Sequence, residues 1–149
     1  MEIEKRLTVL QNTYAASVAE AVNTYAKLKV LETVVEKKKE RQTQMALYLN
    51  SHLGIQSVED VFYTLSEIYG CANWSVAKTK DGYIATATSC KLCALSKKFG
   101  GANPCMGWCL DPMFAMIAAV GKVNPENIAA QSTLMNGNCC KVLINTTKE

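Results

Sequence analysis

The sequence predicts an α+β fold in which a long helical segment precedes an antiparallel sheet of about four strands. Residues 3–53 contain neither proline nor glycine, and their apolar side chains recur at alternating three- and four-residue intervals. This is the spacing of an amphipathic helix. Farther along, Asp81-Gly82 and Asn136-Gly137 each stand between extended apolar runs, which is the pattern of a β-hairpin. We therefore expect N-terminal helices and then two hairpins with a helix between them.

The first 54 residues form the predicted helical segment. Its apolar stripe runs from Ile3 to Val35 and resumes at Met45 after a polar run over residues 36–44, so one long helix and a two-helix hairpin both fit. Gly54 is the predicted C-terminal cap. A stripe this long is expected to pack in the core or against a second copy of the chain, so we expect a homodimer or another homo-oligomer through this helix.

A shorter helix and the first hairpin follow this segment. Ser57 and Asp60 have the spacing of an N-terminal cap pair, and the apolar residues after them predict a helix that ends at Gly70. The chain then turns at Asp81-Gly82 between two extended runs. That hairpin leads directly into the cysteine-rich part of the sequence.

The last third of the chain is predicted to contain a loop, a helix and the second hairpin. A cysteine-rich loop is expected over residues 90–109. Asp111 and Pro112 then predict an N-cap and the first position of a helix. The second hairpin is expected to pair residues 131–135 with residues 140–144 across its Asn-Gly turn.

Length and composition indicate one globular domain over residues 1–149, with a helical segment over 1–54 and a mixed α+β core over 57–149. The chain is 49% hydrophobic and 19% charged, as globular proteins are. Its net charge of +3 is small, and glutamates interleave with the lysines of its basic run, so we expect no nucleic-acid partner.

The amino terminus is charged and lacks the apolar stretch of a secretory signal. The longest apolar run, residues 113–120, is far shorter than the roughly 18 residues of a membrane-spanning helix. We expect a cytoplasmic protein without a membrane segment. In that compartment cysteines are expected to be thiols or metal ligands rather than structural disulfides.

Four cysteines have the spacing of a thiolate metal site, because two close pairs can present four sulfurs to one ion: Cys90, Cys93, Cys105 and Cys109. Zinc is the expected metal, and an iron–sulfur cluster is the alternative cofactor. Two further hypotheses stay open, a redox dithiol at Cys90 and Cys93 and a set of thiols that only pack in the core.

Cys109 and Asp111 are the candidate catalytic residues, because the predicted helix N-terminus beside them would lower a thiol pKa and stabilise an oxyanion. The simpler interpretation is that Asp111 only caps the helix. Cys139 and Cys140 would point to opposite faces of a strand, and Cys140 is a further site candidate. His52 is expected to lie at the surface unless folding brings it to a thiol as a base.

Part of the C-terminal half resembles a known family. The resemblance rests on Cys109-Leu110-Asp111, a spacer helix, Thr133-Leu134 and the segment Gly137-Asn138-Cys139-Cys140. On these residues the chain is similar to L-2-amino-thiazoline-4-carboxylic acid hydrolase-like proteins. These are in turn distantly similar to 4-vinyl reductase domains, which are small-molecule-binding modules. The resemblance covers about residues 69–144, and the chain departs from it in having additional thiols before Cys109.

The resemblance implies a hydrolase-like protein that opens a cyclic amidine or thioimidate of the aminothiazoline type. Cys109 would be the nucleophile or a metal ligand, and Asp111 would move a proton or orient water. The additional thiols favour an alternative, a non-catalytic sensory module that binds zinc or an iron–sulfur cluster together with a small ligand. The sequence leaves open whether the chain is an enzyme. If it is one, the expected class is a C–N bond hydrolase. The expected partner is a small molecule in both cases.

Overall fold

A computed structural model describes residues 1–147 of the chain. The predicted α+β class is confirmed, since these residues form five α-helices and one four-stranded antiparallel sheet. The elements in chain order are α1 (Ile3–Lys27), α2 (Leu31–Leu53), α3 (Val58–Tyr69), β1 (Ser75–Lys78), β2 (Gly82–Ala87), α4 (Lys91–Phe99), a π-helix (Cys105–Leu110), α5 (Asp111–Gly121), a short 3-10 helix (Pro125–Asn127), β3 (Ile128–Ser132) and β4 (Cys140–Asn145). None of the helices in this part of the chain is long and apolar enough to cross a membrane.

The helical segment is two helices, and the chain breaks at Lys29 rather than in the polar run over residues 36–44. Lys29 adopts a left-handed conformation with φ of 62°. Its amide donates to the carbonyl of Ala26, and the amide of Val30 donates to that of Tyr25. This pair of bonds is a Schellman motif, which satisfies the last carbonyls of α1 without a glycine. The two helices then separate, because α1 packs mainly on α4 and α2 packs mainly on α5.

The buried face of α1 lies in the second half of the helix and only partly follows the predicted apolar stripe. The buried residues of this helix are Ala15, Val18, Ala19 and Val22. Ile3, Leu7 and Leu10 belong to the predicted stripe, but they are 80%, 45% and 66% exposed. The expected homo-oligomer through this helix stays a prediction.

The predicted caps of α2 and α3 are largely confirmed. Gly54 and Gly70 end α2 and α3 in the left-handed conformation, with φ of 69° and 63°. The Ser57 hydroxyl accepts a hydrogen bond from the Asp60 amide at 3.2 Å, and the Asp60 carboxylate accepts one from the Gln56 amide at 2.9 Å. These bonds satisfy amides that have no partner inside the helix.

The sheet has the strand order β1-β2-β4-β3, so the two hairpins join through their second strands. The first hairpin turns at Asp81-Gly82 as predicted. The second is also present, but β3 starts at Ile128, and Asn136-Gly137 lies inside a longer connection. The amide of Gly137 there donates to the carbonyl of Thr133 at 2.8 Å. One face of the sheet packs in the main core through Ala85, Ala87, Ile128, Cys140, Val142 and Ile144.

The prediction of a loop over residues 90–109 is wrong, because most of this segment, called the cysteine segment below, is helical. In α4, Leu92, Cys93 and Ser96 have helical spacing and are buried. Leu92 packs with Val18, Ala19 and Val22 of α1 in a second core cluster. Cys90 caps the helix, since its sulfur accepts a hydrogen bond from the Cys93 amide at 3.4 Å. The cysteine segment is therefore held by packing between helices.

The N-cap predicted at Asp111 was also wrong. Asp111 has helical backbone angles, φ −58° and ψ −49°, and its side chain forms no cap hydrogen bond. The π-helix continues directly into α5, and the amide of Asp111 donates to the carbonyl of Met106. No free helix N-terminus therefore lies between Cys109 and Asp111.

Candidate ligand-binding pocket

A small pocket lies among the helices, with a volume of about 240 Å³. It is smaller than the roughly 300–1,000 Å³ typical of pockets for drug-sized ligands. A wider groove of about 760 Å³ lies beside α1 near Gly100, but no cysteine lines it. The smaller pocket is the place where apolar side chains, aromatic rings and thiols meet. Its wall includes Tyr14, Leu49, Leu53, Leu65, Ser66, Tyr69, Ala72, Trp74, Trp108, Met113 and Met116.

Three cysteines from different parts of the chain line this pocket: Cys71, Cys90 and Cys109. The other predicted ligands lie outside its wall. Cys93 and Cys105 are buried, and their sulfur atoms are 3.7 Å apart. Cys140 is buried on β4, where its sulfur accepts a hydrogen bond from the Leu134 amide at 3.3 Å.

The cysteine segment is thus gathered in one region, but not as a metal site. Among residues 1–147, no three His, Cys, Asp or Glu side chains are arranged to hold a metal ion. The sulfur atoms of Cys93 and Cys105 contact each other, whereas Cys109 lines the pocket. Zinc needs three or four converging protein ligands and an iron–sulfur cluster needs four, and the described side chains do not supply such a set. Metal binding by these cysteines stays a prediction for elemental analysis.

The thiols around the pocket have raised pKa values. Burial raises the pKa of Cys109 well above its ordinary value and raises that of Cys71 to about 11. A hydrogen bond with Cys105 raises the pKa of Cys93 to about 12, and one with Cys93 raises the pKa of Cys90. These groups are neutral thiols at physiological pH, and a thiol is a weak nucleophile compared with a thiolate.

The activation expected for Cys109 is absent. The prediction rested on a helix N-terminus that would lower its pKa. The continuous path from π-helix to α5 removes that terminus, and burial acts in the opposite direction.

Asp111 and His52 do not join Cys109 in the pocket wall. Asp111 is only 6% exposed, and burial raises its pKa while Lys39 of α2 opposes the shift. His52 is exposed, and its ring stacks on that of Tyr48 with centroids 5.7 Å apart. The two candidate catalytic residues are therefore not brought together in the pocket, and the assignment of catalysis to them stays a prediction.

Lys38 and Gln42 of α2 are among the pocket residues that the sequence prediction missed. The Lys38 ammonium lies 5.0 Å from the ring centroid of Trp108. The Gln42 side-chain amide donates to the carbonyl of Gly107 at 2.8 Å. Both lie at positions that continue the helical spacing from Val34 to Ala46. That spacing was the available signal, but the polar run was interpreted as a simple interruption of the stripe.

The π-helix brings Gly107, Trp108 and Cys109 to the pocket wall. Its backbone lies close to α2, because a Cβ atom on Gly107 would be 3.0 Å from a methyl group of Val35. π-helical turns inside longer helices are frequent at functional sites. Here the turn forms the contact between α2 and the cysteine segment.

Comparisons with protein-family models, with curated proteins and with solved structures each found no match to this chain. The resemblance to the aminothiazoline-hydrolase-like and 4-vinyl reductase groups therefore stays a prediction.

Proposed function

We propose that the protein is a small-ligand-binding module whose ligand occupies the pocket among the helices. The observation that carries this proposal is the wall of the pocket, which is mostly apolar and aromatic and includes a few polar side chains. Concave sites of this composition are the usual binding sites for small molecules. The proposal corresponds to the non-catalytic alternative from the sequence, without its metal.

The arrangement favours binding over thiol catalysis. Burial raises the pKa of Cys109, and neither Asp111 nor His52 lines the pocket as a base. A nucleophilic cysteine normally has a neighbouring base or a lowered pKa. The aminothiazoline-hydrolase hypothesis predicts turnover that is lost in Cys109→Ser, whereas the binding hypothesis predicts no turnover.

Intrinsic fluorescence offers a direct test of binding, because both tryptophans of the chain, Trp74 and Trp108, line the pocket. Toluene is a suitable first probe, since it is apolar and small. We expect a saturable change in tryptophan emission on titration with toluene, accompanied by a higher melting temperature.

A pocket-filling variant makes the test specific to this site. Ser66 lines the pocket, and Ser66→Leu adds apolar volume there on a helix that tolerates leucine. The control is Glu67→Leu, which introduces the same side chain at the neighbouring exposed position. We expect Ser66→Leu to abolish the change in tryptophan emission caused by toluene and Glu67→Leu to preserve it. Equal binding by both variants would mean that the probe binds elsewhere.

A further inference from the structure

Lys38 supplies a positive charge without an anionic partner at the pocket. Among residues 1–147 its ammonium forms no ion pair or hydrogen bond, and its contact is the face of Trp108 at 5.0 Å. Burial lowers the pKa of Lys38, and the nearby Arg41 lowers it further. A bound anion would relieve both effects, because it attracts the ammonium form.

Gln42 supplies a buried acceptor without a donor. Its Nε2 atom donates to the Gly107 carbonyl, which fixes the orientation of the side-chain amide. Its Oε1 atom is then buried, and it has no hydrogen-bond partner among the described residues. Buried acceptors in proteins are almost always satisfied by a protein group, a water or a ligand, and because Gln42 lines the pocket, a donor on a bound ligand would complete its hydrogen bonds.

The two groups are placed to act on one ligand. Lys38 and Gln42 are four residues apart on α2, so they lie one above the other on the same face of the helix. Both line the pocket, whose other walls are mostly apolar and aromatic. A ligand whose polar end faces α2 would thus meet a cation and an acceptor about one helical turn apart, while its body lies among apolar side chains.

We propose that the ligand is a small, mostly apolar carboxylic acid with an N–H or O–H donor beside its carboxylate. Lys38 binds the carboxylate, and Gln42 accepts the hydrogen bond of the donor. This inference rests on the proposed function, because it names the chemical class that the same pocket selects.

Three small probes of nearly the same shape test the two contacts separately. Pyrrole-2-carboxylate has both the charge and the adjacent N–H. Furan-2-carboxylate keeps the charge but has no ring donor, and pyrrole-2-carboxamide keeps the ring donor but has no charge. We expect calorimetric titration to give the tightest binding for pyrrole-2-carboxylate, with affinity about tenfold lower for each of the other two probes.

Two variants of α2 assign the contacts to residues. Lys38→Met should weaken binding of pyrrole-2-carboxylate about tenfold and leave pyrrole-2-carboxamide nearly unchanged, and Lys37→Met is the exposed control on the same helix. Gln42→Leu should remove the preference for pyrrole over furan. Because any structural damage from losing the Gly107 contact would weaken both acids equally, the ratio of their affinities isolates the acceptor.

The outcomes separate this inference from the proposed function. One outcome is that toluene binds and Ser66→Leu abolishes its binding, but pyrrole-2-carboxylate binds no tighter than the other two probes. The proposed ligand class would then be wrong, and the pocket would still be a binding site. If Ser66→Leu abolishes the binding of none of the four probes, toluene and the three ring compounds, the proposed function itself is wrong. A pyrrole preference that survives Gln42→Leu would refute the role of Gln42.

Discussion

Cys71 allows a quantitative test of the raised thiol pKa values at the pocket. It is partly exposed and also lines an open groove on the other side of Cys90, so a reagent in solution can reach it. Burial and the neighbouring Cys90 raise its pKa from 9.0 to about 11. A small aromatic disulfide such as 4,4′-dithiodipyridine labels this thiol in the native protein.

The expected rate follows from two opposing effects. At pH 7.5 a thiol with a pKa of 9.0 is about 3% thiolate and one with a pKa of about 11 is about 0.03% thiolate, a loss of about 100-fold. The more basic thiolate is the better nucleophile, and a Brønsted coefficient of about 0.4–0.5 returns roughly six- to tenfold over two units. Cys71 should therefore react about tenfold more slowly in the native protein than in the unfolded chain.

The assay is timed labelling followed by peptide mass spectrometry, with the urea-unfolded chain as the reference. The pH profile separates pKa from access, because restricted access would slow the reaction without moving its inflection. We expect the rate to keep rising until about pH 11 instead of levelling near pH 9. A native rate equal to that of the unfolded chain at pH 7.5, or an inflection near pH 9, would show that the pKa of Cys71 is not raised.

Two further predictions concern stability. Gly107→Val should lower the free energy of unfolding by about 1–3 kcal/mol in urea titrations, because even its Cβ would lie 3.0 Å from Val35. Gly137→Val is the control, and it should lower the free energy of unfolding by less, because a Cβ there would have its nearest contact at 3.6 Å. Stability should also fall as pH rises from about 9 to about 12, because the native state keeps the Cys93 proton, whose pKa is raised to about 12, while the unfolded chain loses its proton near 9.0. Urea midpoints at pH 8 and about pH 10.5 test this, and Cys93→Ala should make the decline shallower; an equally steep decline in that variant would contradict it.

Local signals predicted much of the fold. Ser57, Gly54 and Gly70 act through bonds and backbone angles confined to a few residues, so the sequence pattern was sufficient to place them. The break between α1 and α2 could not be predicted in this way, because Lys29 takes a conformation that usually belongs to glycine. Tertiary packing of α1 and α2 on different helices selects that turn.

The cysteine segment was harder to predict because cysteine supports two interpretations. Spacing alone suggested ligands on a loop, whereas Cys93 and Cys105 are buried in the core as small apolar side chains. Cys109 lines the pocket, but the expected partner Asp111 lies outside the pocket wall. Lys38 and Gln42 were missed because polar residues on a helix are usually solvated, and only the position of α2 against the π-helix brings them inside.

Pro112 links the cysteine segment to the polar end of the pocket. In the π-helix, the amide of Asp111 donates to Met106, so the next bond of this pattern would join the amide of residue 112 to the carbonyl of Gly107. Proline has no N–H, and that carbonyl instead accepts the side-chain amide of Gln42 at 2.8 Å. The same bond leaves Gln42 Oε1 buried and unpaired. Pro112, at the start of α5, therefore leaves the Gly107 carbonyl of the π-helix free to accept from Gln42, and the proposed specificity depends on this junction between the two helices.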